Sequence, residues 1–386
     1  MDGMVPSPPW RRVHASPLDC SDLLAEVLLR LPPHPASFLR ASLVCRRWRR
    51  LLRDPAFLRR VRAFRRAPPV LGLYRIRPPG LFAFVPIGEA PDRVPAARFA
   101  LRDSDDWVLL GCNHGRVLLR SRPGWTQLLV WDPVTGHRRC VRLAQFGSHV
   151  RAHNATVFGD RGGLARREGS FRVAFVFTGG GRASACLYSS ETGAWGWLIT
   201  AEAPSDDVRA TSGTLVGGVL YWMLEECGIL ELHLGEERLT VLEPVPGAAS
   251  VYSKNVQLME AEGGMLGFAG VTEYSLQLWA REAQADGSVS ETWVLRKTIG
   301  LHRFVLSPGE SHLFMPMLVD VDEGGNFVFL WTVDGIYMVS LDAARFKKVS
   351  DTEPLEDVRP YSSFYVAGGF GGGEGEGDCG NSGTGP

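Results

Sequence analysis

The sequence predicts a mainly β protein with a small α-helical domain at its N-terminus, in which three short helices precede an irregular β-propeller. Three observations predict this fold. Apolar residues repeat with a helical period only between Leu18 and Leu58. Beyond Pro68 and Pro69 they alternate with a period near 2, as in strands. Strand and turn patterns then recur about every 45–50 residues, which favours a closed radial array with six blades.

Changes in composition divide the 386-residue chain into four parts. Residues 1–17 form a proline-rich leader that we expect to be disordered. Residues 18–67 form the helical domain, and residues 70–366 form the propeller. Residues 367–386 form a glycine-rich tail that we also expect to be disordered. Because the tail does not open a helix, it lacks the geometry of a phosphate-binding loop.

The first helix carries one apolar stripe and ends at a proline cluster. The stripe comprises Leu23, Leu24, Val27, Leu28 and Leu31. Asp22 and Glu26 lie near the helix start, where negative charge suits the helix dipole. Pro32, Pro33 and Pro35 end the helix because proline lacks an amide donor and disfavours helical geometry in the residue before it.

A second helix is predicted to begin at Pro35, which suits a first helical turn. Its apolar stripe comprises Leu39, Leu43, Val44, Trp48, Leu51 and Leu52. Arginines fill the positions between, at Arg46, Arg47, Arg49, Arg50 and Arg53. Asp54 and Pro55 mark the next break, and a last short turn begins at Phe57 and continues as a basic extension to Arg66.

Three short helices of this size bury too little surface to be stable without a metal, disulfides or a partner. Cys20, Cys45 and His34 stand apart from other potential ligands, so a metal is not indicated. A partner protein that covers the two stripes is the remaining prediction. The alternative is a self-contained helical cap packed on the following domain.

The order of residues in this segment resembles an F-box. The matching residues are Leu18, Asp22 to Leu24, Glu26 to Leu28, Arg30 to Pro32, Leu39 to Ala41, Val44 to Trp48 and Asp54 to Phe57. Asp19 departs from the proline that F-boxes usually carry there. The resemblance implies docking on a Skp-type adaptor and, through it, on a cullin. The implied adaptor contacts are Leu18, Leu23, Leu28, Leu31, Pro32, Val44 and Trp48.

Charge is distributed unevenly although the net charge is zero. Residues 1–67 hold 14 arginines and five acidic residues, whereas residues 68–386 hold 28 basic and 37 acidic residues. Because the arginines occupy the outer faces of helices and no aromatic residues alternate with them, we expect no nucleic-acid binding. The split is typical of separate modules.

Seven cysteines without a paired spacing favour free thiols in a reducing compartment. Residues 1–17 lack the apolar core of a secretory signal, and no apolar run is long enough to span a bilayer. We therefore expect a cytoplasmic or nuclear protein that does not bind membranes.

Strands are predicted in pairs around turns rich in glycine, proline and aspartate. They cover residues 107–110, 116–120, 128–131, 171–177, 185–189, 214–222, 229–234, 265–269, 275–279, 291–295, 317–320, 326–331, 335–339 and 361–366. The glycine pairs are too unevenly spaced for a kelch array, and a single Trp-Asp dipeptide gives no support to WD repeats. Six blades are favoured, with five or seven as alternatives.

The turn sequences of this part resemble the F-box-associated region of plant F-box proteins. The similar segments are residues 113–119, 130–136, 188–195, 217–222, 276–279 and 334–337. The resemblance covers about residues 105–365 and implies that the propeller presents a target protein while the F-box recruits a ubiquitin ligase.

Candidate chemistry is sparse. His149 and His153 are four residues apart, as in some helical metal sites, but their surroundings predict a loop and no third ligand is adjacent. Glu225, Glu226 and Cys227 fall where a solvated turn is predicted, and the glycines at 179–181 predict a hairpin. Four tryptophans are assigned to blade cores: Trp195, Trp197, Trp222 and Trp279. We expect no cofactor, no metal and no catalytic residue.

The sequence therefore predicts a substrate-recognition subunit of a Skp–cullin–F-box ubiquitin ligase that is not itself an enzyme. One alternative is an F-box scaffold that does not promote ubiquitylation. Another is a propeller hydrolase that uses paired carboxylates in a central funnel.

Overall fold

The protein is described here from a computed structural model. The described residues are 18, 20–32, 34–65, 67–77, 81–90, 92–101, 106–122, 125–143, 152–159, 170–203, 207–226, 228–247, 251–252, 255–272, 275–283, 291–304, 315–351 and 357–364. The predicted leader and the predicted tail lie outside them.

Among its described residues, the N-terminal domain contains four helices. They are α1 (Ser21–Leu29), α2 (Pro35–Val44), α3 (Arg46–Leu52) and α4 (Pro55–Arg65). The prediction of a single second helix is wrong because Cys45 has extended backbone angles, with φ −162° and ψ 171°, that separate α2 from α3. The predicted last turn is an 11-residue helix, which Pro55 begins.

The helical domain has a core of its own. Its buried residues are Leu24, Ala25, Leu28, Leu29, Phe38, Ala41, Leu52, Phe57 and Val61. Leu31, Trp48 and Leu51 pack against this core from its edge, and so does Phe364 from the C-terminal end of the strand-rich part. Among the described residues, the contact at Phe364, the ion pair between Arg40 of α2 and Asp92 at 4.0 Å, and the chain that leads from α4 to β1 join the domain to the strands.

The rest of the described chain is almost entirely β-structure, with two short 3-10 helices at Ala96–Phe99 and His302–Phe304. The first half contains β1 (Val70–Arg77), β2 (Leu81–Pro86), β3 (Trp107–Asn113), β4 (Arg116–Ser121), β5 (Gln127–Trp131), β6 (Arg138–Arg142), β7 (Ala152–Phe158), β8 (Arg172–Gly179), β9 (Arg182–Ser189), β10 (Ala194–Trp195), β11 (Ile199–Glu202) and β12 (Thr214–Val216). The second half contains β13 (Val219–Met223), β14 (Ile229–His233), β15 (Arg238–Leu242), β16 (Val256–Ala261), β17 (Met265–Val271), β18 (Ser275–Ala283), β19 (Glu291–Gly300), β20 (Met317–Val321), β21 (Phe327–Thr332), β22 (Gly335–Ser340), β23 (Arg345–Ser350) and β24 (Asp357–Ser362).

These strands form six antiparallel sheets, which are the blades of a propeller. Blades 1 to 5 consist of consecutive strands: β3–β6, β7–β11, β12–β15, β16–β19 and β20–β23. Blade 6 has the order β2-β1-β24, so the two ends of the strand-rich part close the ring together. The first strands of the blades face one another around the centre, and β24 contacts both β20 and β3. The predicted fold class and the favoured number of six blades are confirmed.

Packing between blades fills the ring with aliphatic and aromatic side chains. At the closure, Tyr74 of β1 lies edge-on to Tyr361 of β24 and stacks on Phe82 of β2. The Tyr74 hydroxyl donates a hydrogen bond to the Phe99 carbonyl oxygen at 3.1 Å. Aromatic packing therefore holds together a blade whose strands are distant in sequence.

The described cysteines are of two kinds. Free thiols are found at Cys20, Cys45, Cys112 and Cys186, but Cys140 is disulfide-bonded, so the expectation is wrong for that residue. Within the described residues, no helix has the length and apolar character that crossing a bilayer requires.

Candidate functional site

The helical domain exposes a group of large apolar side chains, which we call the apolar helical face. Its members are Leu18, Leu23, Val27, Leu43 and Val44. Leu43 and Val44 are the most open, with 67% and 61% of their surface exposed. An exposed cluster of this kind on a small domain marks an interaction surface.

The helical period explains why α1 is apolar on two sides. Leu24 and Leu28 point into the core with no exposed surface, whereas Leu23 and Val27 lie one position earlier and are about half exposed. The stripe predicted as a single face is thus shared between the core of the domain and its surface.

Arg47 joins the start of α1 to the junction of α2 and α3. Its guanidinium donates hydrogen bonds to the Leu18 carbonyl oxygen at 3.3 Å and to Ser21 Oγ at 3.0 Å. Arg47 is three residues from Val44, so these hydrogen bonds join the start of α1 to the segment that directly follows α2. A second link joins α1 to α4, where Arg60 contacts the Glu26 carboxylate at 2.7 Å.

The structure divides the seven predicted adaptor contacts into two groups. Leu18, Leu23 and Val44 belong to the apolar helical face, and Pro32 is also exposed. The other three support the fold: Leu28 is fully buried, and Leu31 and Trp48 pack partly buried against the core. Val27 and Leu43 were not among the predicted contacts, although both stood in the predicted stripes.

A second candidate site is the cavity at the centre of the propeller, which we call the central cavity. It has a volume of about 600 Å³ and lies where the first strands of the blades end. Every blade contributes to its wall, for example at Asn113, Thr156, Thr214, Gln257 and Ser362. A cavity of this size is within the range of ligand-binding sites in proteins.

Carboxylates dominate the charge on the wall of the central cavity. They are Glu236, Glu260, Asp320, Asp322 and Glu323, and they face one guanidinium, that of Arg172, and two imidazoles, those of His114 and His233. Low-dielectric walls that carry charge of one sign concentrate the field inside such a cavity. The central cavity therefore favours cationic groups.

Asp320 links three blades at the base of this wall. Its Oδ2 accepts a hydrogen bond from Ser212 Oγ at 3.1 Å and lies 3.9 Å from Arg359 Nε. Arg359 also donates to the Ala210 carbonyl oxygen at 2.9 Å. Burial raises the pKa of Asp320, and the Arg359 charge and the hydrogen bonds to its carboxylate act in the opposite direction. Asp320 is thus engaged in holding the blades together.

Asp322 and Glu323 shape the turn after β20. Asp322 accepts hydrogen bonds from the backbone N–H groups of Gly324, Asn326 and Phe327, yet burial raises its pKa to about 6. Glu323 accepts a hydrogen bond from the His114 backbone N–H at 2.7 Å, which ties blade 5 to blade 1. Both side chains are part of the cavity wall as well as of the fold.

The predicted loop at His153 is wrong, because this residue lies in β7 and its ring packs edge-on to Trp125. Its partner in the predicted pair, His149, lies outside the described residues. Burial and the Arg120 charge lower the pKa of His153 to about 4. Across the described part of the chain, no three potential ligands are close enough to hold a metal ion.

The tryptophan assignments are confirmed for three of the four residues. Trp222 is buried, and Trp195 and Trp279 pack against apolar clusters. Trp197 is 87% exposed, so its assignment to a blade core is wrong. Glu225 and Glu226 lie in an exposed turn, as predicted, while Cys227 lies outside the described residues.

Helices with an exposed apolar face, followed by a closed six-bladed ring, define a two-domain interaction protein. An F-box domain model matches residues 20–60, and a model described as "F-box protein AT5G49610-like, beta-propeller" matches residues 108–364. The second match covers more than half of the chain, which therefore belongs to this family of F-box proteins with a β-propeller. The match agrees with the resemblance to plant F-box proteins.

No curated protein matches the chain. Among solved structures, a structural genomics protein of unknown function from Bacteroides thetaiotaomicron is similar at 12% identity and a TM-score of 0.38. The alignment covers 62% of this chain and 56% of that protein, so the chain spans a little over half of its length.

Proposed function

We propose that this chain is the substrate-recognition subunit of a Skp–cullin–F-box ubiquitin ligase in the cytoplasm or nucleus. The F-box binds a Skp-type adaptor and, through it, a cullin, while the propeller binds a target protein. The chain makes and breaks no bond itself. It holds the target near the ubiquitin-charged enzyme and so raises their effective concentration.

The observation that carries this proposal is the apolar helical face. Its five side chains remain exposed although the domain already has a packed core and a contact with the propeller. A partner that covers them removes apolar surface from water at about 25 cal/mol per Å². The F-box match supports a Skp-type adaptor as that partner.

The proposal is tested by measuring the affinity of the full chain for a purified Skp-type adaptor. Leu43→Asp and Val44→Asp each place a charge on the apolar helical face, and we expect each to weaken binding by roughly tenfold or more, because the buried charge would have no partner. Leu198→Asp is the matched control, since Leu198 is 54% exposed on blade 2. Circular dichroism verifies that the helices remain folded. Unchanged affinity in both face variants would refute the contact assignment.

Leu28→Asp is unsuitable for this test, because Leu28 has no exposed surface. A carboxylate at this position would unfold the helical domain rather than report on docking. The second step of the proposal, transfer of ubiquitin to a target, is tested by reconstituting the complex with a cullin. Binding of adaptor and cullin without any target turnover would favour the scaffold alternative.

The hydrolase alternative needs two carboxylates that are free to act on a substrate. Asp320 is held by Arg359 and Ser212, and Asp322 receives three backbone N–H groups. These contacts give both carboxylates a structural role. Glu323 is paired with His114 and Glu236 with Arg238, and for this reason we propose a binding function for the propeller.

A further inference from the structure

Four arginines lie on one side of α3 and of the residue that follows it, and we call this surface the arginine face. They are Arg46, Arg49, Arg50 and Arg53. Because residues three or four apart are neighbours on a helix, the four side chains emerge side by side. The opposite side of α3 holds Trp48 and Leu52, which pack in the core of the domain. All four arginines are exposed, and they line one groove of about 880 Å³.

The positive charge of the arginine face is mostly unpaired. Within the described part of the chain, three of its guanidinium groups form no hydrogen bond or ion pair: those of Arg46, Arg50 and Arg53. Arg49 Nε donates to the Ser42 carbonyl oxygen at 3.2 Å, and Arg47, which also lines the groove, is engaged by α1 as described above. Asp54 is the one carboxylate among the described lining residues, and its Oδ1 accepts from the Ala56 backbone N–H at 3.1 Å.

The charge of the arginine face opposes the folding of α3. Arg46 and Arg50 are four residues apart, and α3 contains no acidic residue that could separate their charges. Arg49 and Arg53 have the same spacing. Like charges at this spacing destabilise a helix. A negatively charged partner would remove this repulsion, which indicates that the arginines serve binding.

The arginine face touches both segments that carry the apolar helical face. Arg49 contacts Ser42 of α2, which directly precedes the exposed Leu43. The groove is also lined by Ser21 and Leu24 of α1, which lie on either side of Leu23 in the sequence. A single partner can therefore span the two surfaces.

We infer that the arginine face binds an acidic segment of the Skp-type adaptor. Carboxylates of that segment pair with the guanidinium groups of Arg46, Arg50 and Arg53, while apolar side chains of the adaptor cover the apolar helical face. A guanidinium suits this role because two of its N–H groups can donate to the two oxygens of one carboxylate. The inference rests on the proposed function, because it names the chemistry by which the adaptor is recognised.

The lining of the groove favours an acidic protein segment over a nucleic acid. Single-stranded nucleic acids are usually held by aromatic side chains on which their bases stack. Among the described residues that line the groove, none is aromatic. An apolar surface beside the charge also suits a protein partner.

The main test measures the affinity and association rate of the full chain for the purified adaptor at low and at high salt. The triple variant Arg46→Gln, Arg50→Gln, Arg53→Gln keeps good helix formers in α3 and retains the Arg49 contact with Ser42. We expect it to lower the affinity at low salt by roughly tenfold or more, mainly through slower association, and to reduce the dependence on salt.

A matched control removes the same charge from the propeller. It combines Arg122→Gln, Arg182→Gln and Arg345→Gln, at exposed positions on blades 1, 2 and 5. The control should leave the adaptor affinity unchanged within about twofold. Equal losses in the two triple variants would show that only the net charge matters, and an unaltered affinity in the arginine-face variant would overturn the inference.

The stability of the arginine-face variant gives an independent measurement. Because the repulsion along α3 is reduced, the urea midpoint of the helical domain should stay unchanged or rise. Circular dichroism at the helix band follows this transition. A lower midpoint would mean that the arginines support the fold, and would contradict the unpaired state from which the inference is argued.

A fluorescein-labelled peptide of glutamate and glycine probes the arginine face without the adaptor, and its counterpart carries glutamine in place of glutamate. Fluorescence anisotropy should show severalfold tighter binding of the glutamate peptide to the parent chain, and no difference in the arginine-face variant. A single-stranded oligonucleotide of equal charge is compared on the same samples. Tighter binding of the oligonucleotide, lost in the arginine-face variant, would reassign the surface to a nucleic acid and overturn the inference.

The same experiments separate this inference from the proposed function. If the adaptor binds, Val44→Asp weakens it and the arginine-face variant does not, the inference fails and the proposed function stands. If the adaptor does not bind the parent chain at all, the proposed function fails. The inference then fails with it, even where the glutamate peptide binds.

Discussion

Gly213 shows how single residues set the spacing between blades. A β-carbon built on it would lie within 3.0 Å of Thr156 Oγ1 and Trp222 Nε1. These two atoms form a buried hydrogen bond of 3.1 Å that joins blade 2 to blade 3. Only glycine leaves this bond undisturbed.

Gly213→Ala should therefore destabilise the propeller by about 1–3 kcal/mol, as expected for overpacking of a well-packed site. Gly235→Ala is the control, because its β-carbon would meet nothing within 4 Å. The control should be neutral or stabilise the fold by about 0.4–1 kcal/mol through the unfolded chain. Urea unfolding of both variants measures the difference, and a Gly213→Ala variant as stable as the parent chain would contradict the packing described here.

His153 makes the free energy of unfolding depend on pH. Its folded pKa of about 4 lies below the ordinary value of 6.5, so the unfolded chain binds a proton more readily than the folded one. The stability contributed by this residue is fully present above about pH 6.5 and is lost as the pH falls toward about 4.

Replacement of His153 by leucine should reduce the loss of unfolding free energy between pH 7.5 and pH 5 by about 1–2 kcal/mol, a value that allows for the partial exposure of the ring. His137→Leu, at an exposed turn position, is the control and should leave the loss unchanged. The measurement is urea unfolding at the two pH values. The same pH dependence in the parent chain and in His153→Leu would show that other groups cause it.

Residue patterns alone could not have separated these roles. The difference between Gly213 and Gly235 comes from neighbours in space, because Thr156 and Trp222 crowd Gly213 whereas no atom lies within 4 Å of a β-carbon at Gly235. His153 was assigned to a loop because Gly147 and Ser148 precede it, whereas pairing with β8 makes the segment a strand. Neighbours in space override local composition in both cases.

Among the strands, β24 closes the ring of blades. It pairs with β1, and its Tyr361 is fully buried among Tyr74, Phe84 and Phe99. The Tyr361 hydroxyl donates to the Gly115 carbonyl oxygen at 2.9 Å, and burial raises the pKa of this hydroxyl so that it keeps its proton. Tyr361 thus links blade 6 to blade 1, in addition to the ring contacts of Tyr74 and Phe82 with Trp131.

Tyr361→Ala should cost about 3–5 kcal/mol, because it removes a large ring from a packed site. Tyr361→Phe keeps the ring and loses the hydrogen bond to Gly115, so it should cost about 1 kcal/mol. Thermal or urea unfolding of the two variants gives the comparison. Equal costs would indicate that the hydroxyl, rather than the aromatic packing, holds the closure.

The strands in the middle of each blade were predicted from the sequence better than the outer strands. Three outer strands, β6, β15 and β23, were not predicted, because their arginines, lysines and threonines are acceptable at a sheet edge and mask the apolar alternation. β1 and β2 were missed as well, since they belong to a blade completed only by β24. The predicted ranges also omit β7, β11 and β16, of which β7 and β16 are the first strands of their blades. The helix break at Cys45 could not be predicted, because no proline or glycine marks it in the sequence.

The whole molecule consists of two parts that differ in charge and in their packing. The basic helices have their own apolar core, joined to the propeller through Phe364, and the propeller is acidic in its central cavity. The F-box could be predicted from sequence because its motif is local. The central cavity could not, because its carboxylates come from three blades and meet only when the ring closes.

This organisation predicts that the full chain unfolds in two steps. The helical domain is small and has an apolar core of its own, so its helices should melt at a lower urea concentration than the blades. Circular dichroism at the helix band reports the first step. Tryptophan fluorescence reports the second, because nine of the 11 tryptophans lie in the propeller.

Addition of a Skp-type adaptor should shift only the first step to higher urea concentration, since a ligand of the folded helical domain stabilises that domain by mass action. At about 100 times its dissociation constant, the adaptor would add about 2.7 kcal/mol. At the same adaptor concentration, Val44→Asp should reduce the shift to about half or less while leaving the second step in place. A single transition that both signals follow, moved as a whole by the adaptor, would show instead that the helices and the propeller form one cooperative unit.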